Sequence, residues 1–470
     1  MHHPALIRSL LALAISSAGL GQAWASEDDL PPDEASRNGD VVVKGQAGAT
    51  GFAEGQKLTF TTRNFAAREQ MKDSFHFTIK KDGYTEPTHS RYTWTQGSQL
   101  GYSSGYTQGT VGVGLDATAF NEIALERGHG RIAGGGTRTL ADSDGDAVGQ
   151  WSKMGLANVK LRASDTVLRA GRQQTEKNPV FNSNDNRALP SSFDGVSLLS
   201  EELEGLQVQA GSFTRASPRT SSDHQGLTTE YGAQNFTGSH FSYLGGSYQP
   251  MKELKLTAYG AHFEDIWNQY YFGASHDLGD PQALALNTSL SYYSTHDSGA
   301  RKAGYIDNNA YSLAFTLTHG AHAVLLGWQQ IDGNEFFDYV HETAAIYLAN
   351  SLLSDYNGPN EKSLQLRYTT DWAGFGVPGL TSMAWYAKGW GIDGTHYDGD
   401  RNGVSGYDVR NMDDEHHHEL GLSTGYTLQG GPLKSSSFRL TYMKHLASQN
   451  QVDGSVNELR LVSNFPFDLM

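Results

Sequence analysis

Cations lined up along one side of a strand are the first chemistry this sequence offers. In VKLRASDTVLRAGRQQ, residues 159–174, apolar and charged residues alternate, and the wet face carries Lys160 and Arg162 and then Arg169. A guanidinium grips a carboxylate with two parallel hydrogen bonds and keeps its charge at any relevant pH. Such a row therefore reads as anion capture without covalent chemistry. Two other groupings invite a different reading. In DDEHHHE, Asp413–Glu419, strand geometry puts Glu415, His417 and Glu419 on one face and His416 and His418 on the other. Neither face collects three close imidazoles, so the spacing is poor for zinc, and a polar strand-to-loop junction is expected with no metal. Serine and histidine are abundant, with 18 His, yet no local motif selects a nucleophile, a base and an orienting acid. No catalytic residue and no cofactor is expected.

The chain that carries these cations is acidic. Its 470 residues hold 35 Lys and Arg against 51 Asp and Glu, a net charge of −16, which argues against nucleic acid as a partner. It begins MHHPALIRSLLALAISSAGLGQAWASEDD, with Arg8 as a positive n-region, Leu10–Leu20 as an apolar stretch and Ala23-Trp24-Ala25 as an A-x-A cleavage pattern. Residues 1–25 are therefore expected to be an export signal and residues 26–50 a mature leader running into the start of the barrel described below. Removing Arg8 and no acid moves the net charge from −16 to −17. There is no Cys, so an exported chain must close its fold without disulfides.

Gly numbers 54 and Tyr 23, while hydrophobic residues make only 38%. That balance fits strands with one face to lipid and one to water. Period-two alternation recurs. In YSLAFTLTH, Tyr311, Leu313, Phe315 and Leu317 oppose Ser312, Ala314, Thr316 and Thr318. In LTSMAWYAK, Met383, Trp385 and Ala387 oppose Ser382, Ala384, Tyr386 and Lys388. In SFRLTYMK, Phe438, Leu440 and Tyr442 oppose Arg439, Thr441 and Met443. Short turn-like connections (Gly376–Leu380, Gly430–Ser435) alternate with long polar ones (Gly134–Gln150, Asp393–His418). This is the pattern of an outer-membrane barrel, whose closure leaves no unpaired strand edge in lipid. At on the order of 25 residues per strand with its connection, roughly 16–20 strands are expected, enough for a water-filled lumen. The closing VNELRLVSNFPFDLM puts Leu459, Leu461, Phe465, Phe467 and Leu469 on one face, with the phenylalanines where an aromatic girdle sits.

Several blocks resemble the OprD family of substrate-specific outer-membrane channels. They are SGYTQGTVGVGLDA (Ser104–Ala117), FEDIWNQYY (Phe263–Tyr271), LANSLLSDYNGPNEKSLQLRY (Leu348–Tyr368), GVPGL, IDGTHYDGD and NELRLVSNFPFDL. The likeness runs from about Gly51 to the C-terminus, so residues 51–470 are expected to form the barrel with its constriction loops. The resemblance implies an all-β fold: a transmembrane antiparallel β-barrel of eighteen strands with short periplasmic turns, long extracellular loops and some loops folded into the lumen. It implies a channel in the outer membrane of a Gram-negative bacterium, monomeric or a loose homotrimer, passing small carboxylate-bearing solutes.

The resemblance also implies a basic ladder. Matching motifs give Arg91 in SRYTWTQG, Arg187 in NDNRALPSSFDG (the loop expected to constrict the lumen), Arg439 in SSFRLTY and Arg460 in NELRLVSNF. Parity turns Arg439 and Arg460 inward independently, since an Arg at the lipid midplane costs roughly 2–4 kcal/mol. Arg162 and Lys160 face inward by that argument alone and match no ladder position. Thr441 and Thr424 stand where a further basic residue is expected, which thins the track. The family pairs its arginines with an acid and tyrosines. Asp355 in LLSDYNGPNEKS matches the acid, with Asp338 as a substitute. Tyr339 in FFDYVHE and Tyr231 in TTEYGAQN match the tyrosines. An Asp facing an Arg track makes a dipolar site, which favours amino acids and basic ones among them. Aromatic or other organic acids are the alternative cargo. A barrel enzyme, or an adhesin with a plugged lumen and no conductance, is the alternative class.

Overall fold

The computed structural model describes residues 45–72, 77–81, 84–126, 140–142, 146–232, 237–399 and 406–470. The export signal and most of the leader lie outside the described residues, as does much of the connection at Gly134–Gln150. A 19-stranded antiparallel sheet closes on itself. Setting aside the two-residue piece Gln225–Gly226 leaves eighteen long strands. The first of these, Lys57–Met71, pairs with the last, Val456–Asp468, in a register running from Thr59↔Asp468 to Met71↔Val456. The closing strand was thus legible in the sequence. Among the described residues no helix is long and apolar enough to cross a membrane.

Alternation decides which side chains meet lipid. Leu313, Phe315 and Leu317 are exposed on the outer face, while Ser312 and Ala314 of the same strand, Asp307–His319, are buried inside. Phe438, Leu440, Tyr442, Leu459 and Leu461 likewise face out. The strand Leu380–Ile392 uses its apolar face differently. Met383, Trp385 and Ala387 point inward and pack with Leu352, Tyr356 and Met443. Its lumen side is covered by an inward-folded loop, so apolar residues there meet protein rather than lipid.

The two barrel ends differ as the sequence predicted. One end has tight connections, such as 204–205, where Gly205 takes the positive φ of 74° that the turn requires. The other end carries long excursions: 174–191, 218–240, 333–361 and 393–414. The described residues of these loops lean into the barrel, and the first three loops bridge one another at Ser183↔Thr343 and Thr229↔Val340. Their apolar residues are the reason. Phe181 packs against Phe193, Phe213 and Phe241 of the wall, with ring centroids 4.5, 4.7 and 4.8 Å apart. Aromatic packing of this kind adds about 0.5–1.5 kcal/mol per pair beyond area burial.

Candidate functional site: an arginine ladder and a loop constriction

The register of four neighbouring strands places arginines at successive levels of the lumen wall. Arg91 lies opposite Glu69, and Arg460 opposite Ala67. Arg439 lies opposite Val462, itself opposite Phe65, and Arg63 faces Asn464. Inward-facing Glu69, Ala67, Phe65 and Arg63 are every second residue of one strand, so the four levels are about 7 Å apart along it. Arg91, Arg460, Arg439 and Arg63 thus descend one arc of the wall from the loop end toward the turn end. Arg63 was missed in the sequence reading. Its signal was available, because a strand offers only two directions and lipid rejects a guanidinium; the structure buries Arg63 on the same face as Phe65.

The wall cations are paired. Arg91 donates to both carboxylate oxygens of Glu69, at 2.6 and 2.7 Å, and Glu69 is 2% exposed. Arg460 Nε donates to Glu458 Oε1 at 2.8 Å, and its guanidinium lies 5.9 Å from the Phe65 ring. Lys160 and Arg162 face inward as parity required, but at the turn end, away from the ladder. Lys160 Nζ donates to Asp116 at 2.8 Å, and Arg162 donates to Gln46 at 3.0 Å with its guanidinium 4.1 Å from the Tyr106 ring. Thr441 is buried inside beside Ser423. Thr424 corrects the expectation made for it. It is exposed on the outer face, because inward Ser423 fixes the opposite parity for its neighbour, so it is not a rung.

Arg63 also fixes the constriction. It donates from Nη1 and Nη2 to the two Asp185 oxygens at 2.7 and 2.9 Å, and from Nη1 to the Arg187 carbonyl at 2.7 Å. That clamp holds the loop bearing half-buried Arg187 against the wall. Gly97 allows the approach, since a Cβ there would collide with the Ala188 carbonyl. Farther around, Arg219 Nε donates to Glu342 at 2.9 Å and Arg219 Nη1 to Asn186 Oδ1 at 2.5 Å, while His341 Nδ1 contacts Glu230 at 2.5 Å. Burial alone would raise the Glu230 carboxyl. The His341 charge and hydrogen bond, with Arg219 and Arg187, overcome that and hold it at about 2. Burial opposes the charge on His341 too, yet Glu230 lifts it to about 9. Arg187 therefore lies close enough to this acidic and basic network to be felt at Glu230.

The loop 333–361 brings the expected acid and tyrosines together. Tyr231 and Tyr339 each donate a hydroxyl to Asp355 Oδ2 at 2.7 Å, and Ser351 donates to Oδ1 at 2.6 Å. Burial pushes the Asp355 carboxyl up to about 6 against these hydrogen bonds, with Asp453 adding to the rise. Asp338 has another task. Its carboxylate accepts the backbone N–H groups of Glu230, Tyr231, Gly232 and Tyr339 and the Tyr407 hydroxyl, and burial lifts it to about 7. It ties three loops together and is not a second Asp355.

This architecture has known counterparts. The description "outer membrane porin, OprD family" matches residues 50–469. Porin D of Pseudomonas aeruginosa is 35% identical over 441 residues, covering 92% of this chain and 95% of its own length. The crystal structure of Pseudomonas aeruginosa OccD3 (OpdP) superposes with a TM-score of 0.81 at 56% identity, over 91% of this chain and 95% of that one. Pseudomonas aeruginosa OpdK, crystallised with vanillate, superposes with a TM-score of 0.75 at 28% identity, over 89% of this chain and 100% of that one. A closed eighteen-stranded barrel, loops turned into its lumen and a family match across nearly its whole length lead to one assignment: the chain belongs to the OprD family of outer membrane porins, in the outer membrane of a Gram-negative bacterium.

Proposed function

We propose that this porin passes small solutes bearing a carboxylate, and that amino acids with a cationic side chain are favoured among them. The carrying observation is the run of Arg91, Arg460, Arg439 and Arg63 on successive inward levels. In a narrow low-dielectric tube such a row focuses the field and draws an anion from rung to rung. Pairing with Glu69 and Glu458 keeps the Arg91 and Arg460 wells shallow, and conduction needs sites that release as readily as they bind. At the constriction, Arg187 takes the carboxylate while Asp355, set by Tyr231 and Tyr339, takes the ammonium group. Flow follows the concentration gradient and needs no cofactor.

Arg187→Ala and Arg460→Ala are expected to weaken anion preference in planar bilayers and slow amino-acid uptake into liposomes. Unchanged ion selectivity and uptake in both variants would remove the ladder from the mechanism. A second reading, aromatic acids as cargo, is favoured by the stacking of Tyr231 on Phe336, with centroids 4.8 Å apart, and by the vanillate bound to OpdK. Liposome-swelling rates across basic amino acids and aromatic acids separate the two.

A further inference from the structure

DDEHHHE read alone offers one inward imidazole, but the barrel brings it a second. His417 and His445, on the paired strands Glu415–Thr427 and Ser437–Ala447, are both buried at the loop end of the wall. His417 Nδ1 and His445 Nε2 lie 2.7 Å apart. The outer nitrogen of each ring is already engaged. His417 Nε2 lies 2.6 Å from Glu361 Oε1, and His445 Nδ1 lies 2.6 Å from the Gly454 carbonyl. Both of those partners are acceptors, so each ring carries its proton on the outer side. With both rings neutral, the two nitrogens that face one another are then both lone-pair bearers.

Ser354 does not relieve this opposition. Its Oγ lies 3.4 Å from His417 Nδ1, but its hydrogen goes to Asp453 Oδ2 at 2.5 Å. Two imidazole lone pairs, a hydroxyl oxygen and a carboxylate thus converge on one point. The ligand atoms of His417, His445 and Asp453 all lie within 4.8 Å of one another. A cation between them turns three mutually repelling acceptors into three ligands. Backing of each ring by a carboxylate or a carbonyl is the usual support of metal-binding histidine.

We propose that His417, His445 and Asp453 bind a zinc ion, with Ser354 or a water as fourth ligand. Two imidazoles and one carboxylate suit Zn²⁺ rather than Mg²⁺ or Ca²⁺, which take oxygen ligands. Tetrahedral zinc with bonds of about 2.0–2.1 Å sets its ligands about 3.4 Å apart, so the rings part by under 1 Å and Asp453 swings in. The ion staples the loop carrying Asp453 to the wall. Through Ser354 and Glu361 it also steadies the loop that presents Asp355. The site stands independently of what the channel transports.

The test is calorimetric titration of the folded, chelator-treated porin in detergent with ZnCl₂, paired with the visible absorption of added Co²⁺. One Zn²⁺ per barrel is expected, with a tetrahedral cobalt spectrum and no competition from Mg²⁺. His445→Gln and Asp453→Asn should each weaken binding at least about tenfold, as losing one of three protein ligands would. His416→Gln, on the outward face, should leave it unchanged. Folding of each variant is read from its heat-modifiable gel mobility, and if His445→Gln fails to fold, Asp453→Asn decides. Absence of zinc binding, a different stoichiometry, or wild-type affinity in a folded variant overturns the site. In that case a single proton shared by the two rings accounts for the short contact.

Discussion

The lumen wall and the Asp355 group of the inward-folded loops handle charge in opposite ways. On the wall, cations sit against carboxylates of the same sheet: Arg91 with Glu69, Arg460 with Glu458, Lys160 with Asp116. In the loop 333–361, Asp355 is instead held by three hydroxyls, from Tyr231, Tyr339 and Ser351. Strands are rigid and recur every two residues, so they can repeat a moderated positive site at fixed spacing. Loops cannot repeat, but they can converge, and they gather one acid and two tyrosines from segments more than a hundred residues apart. On the proposed function, the wall sets a gradient and the loops set a choice.

The largest effect is expected where the two regions are joined. Arg63→Ala removes the clamp on Asp185 and the Arg187 carbonyl. Breaking a fully buried ion pair costs about 3–5 kcal/mol, and the partial exposure of Asp185 lowers that here to roughly 2–3 kcal/mol. Single-channel recordings should show higher, noisier conductance, and an unchanged trace would detach the loop from the wall. Next comes the wall itself. Glu458→Gln should sharpen anion preference several-fold in reversal-potential measurements, whereas Arg460→Ala should shift selectivity toward cations. Shifts of the same sign would refute the idea of moderated rungs.

A smaller and more specific change is expected in the loop. Asp355→Asn should slow uptake of basic amino acids several-fold while leaving neutral ones near wild type. Acid should imitate that variant. Asp355 is charged above its value of about 6 and neutral below it, so preference for cationic amino acids should fade as the pH drops from 7.5 to 5. A pH-independent preference, or equal loss for both cargo classes in Asp355→Asn, would remove Asp355 from recognition. The smallest effect is expected from Thr441→Lys, which adds a cation at the level of Arg460 and should raise anion preference by no more than about two-fold, since Glu458 still moderates that level. Reversal potentials measure it.

Much of this was legible residue by residue. Alternation alone turned Lys160, Arg162, Arg439 and Arg460 inward, because lipid rejects a guanidinium and a strand offers only two directions. The same rule was available for Arg63 and went unused. Motif likeness located Asp355, Tyr231 and Tyr339, which the structure brings into one hydrogen-bonded group. Asp338 and Asp355 could not be told apart in sequence, since both are loop aspartates beside tyrosines. Only the positions of four backbone amides give the first a structural task. Thr424 was misjudged by one residue, which on a strand is the difference between lumen and lipid.

The sequence by itself determined the barrel, its two unlike ends and the facing of its strand residues, because period-two alternation is a local property that survives without any knowledge of partners. Tertiary structure alone decided the rest. Which arginines share an arc, which carboxylate moderates each one, and how His417 comes to meet His445 and Asp453 all depend on the register between strands and on where the loops come to rest. Those are set by contacts between residues tens to hundreds of positions apart, and no local pattern encodes them.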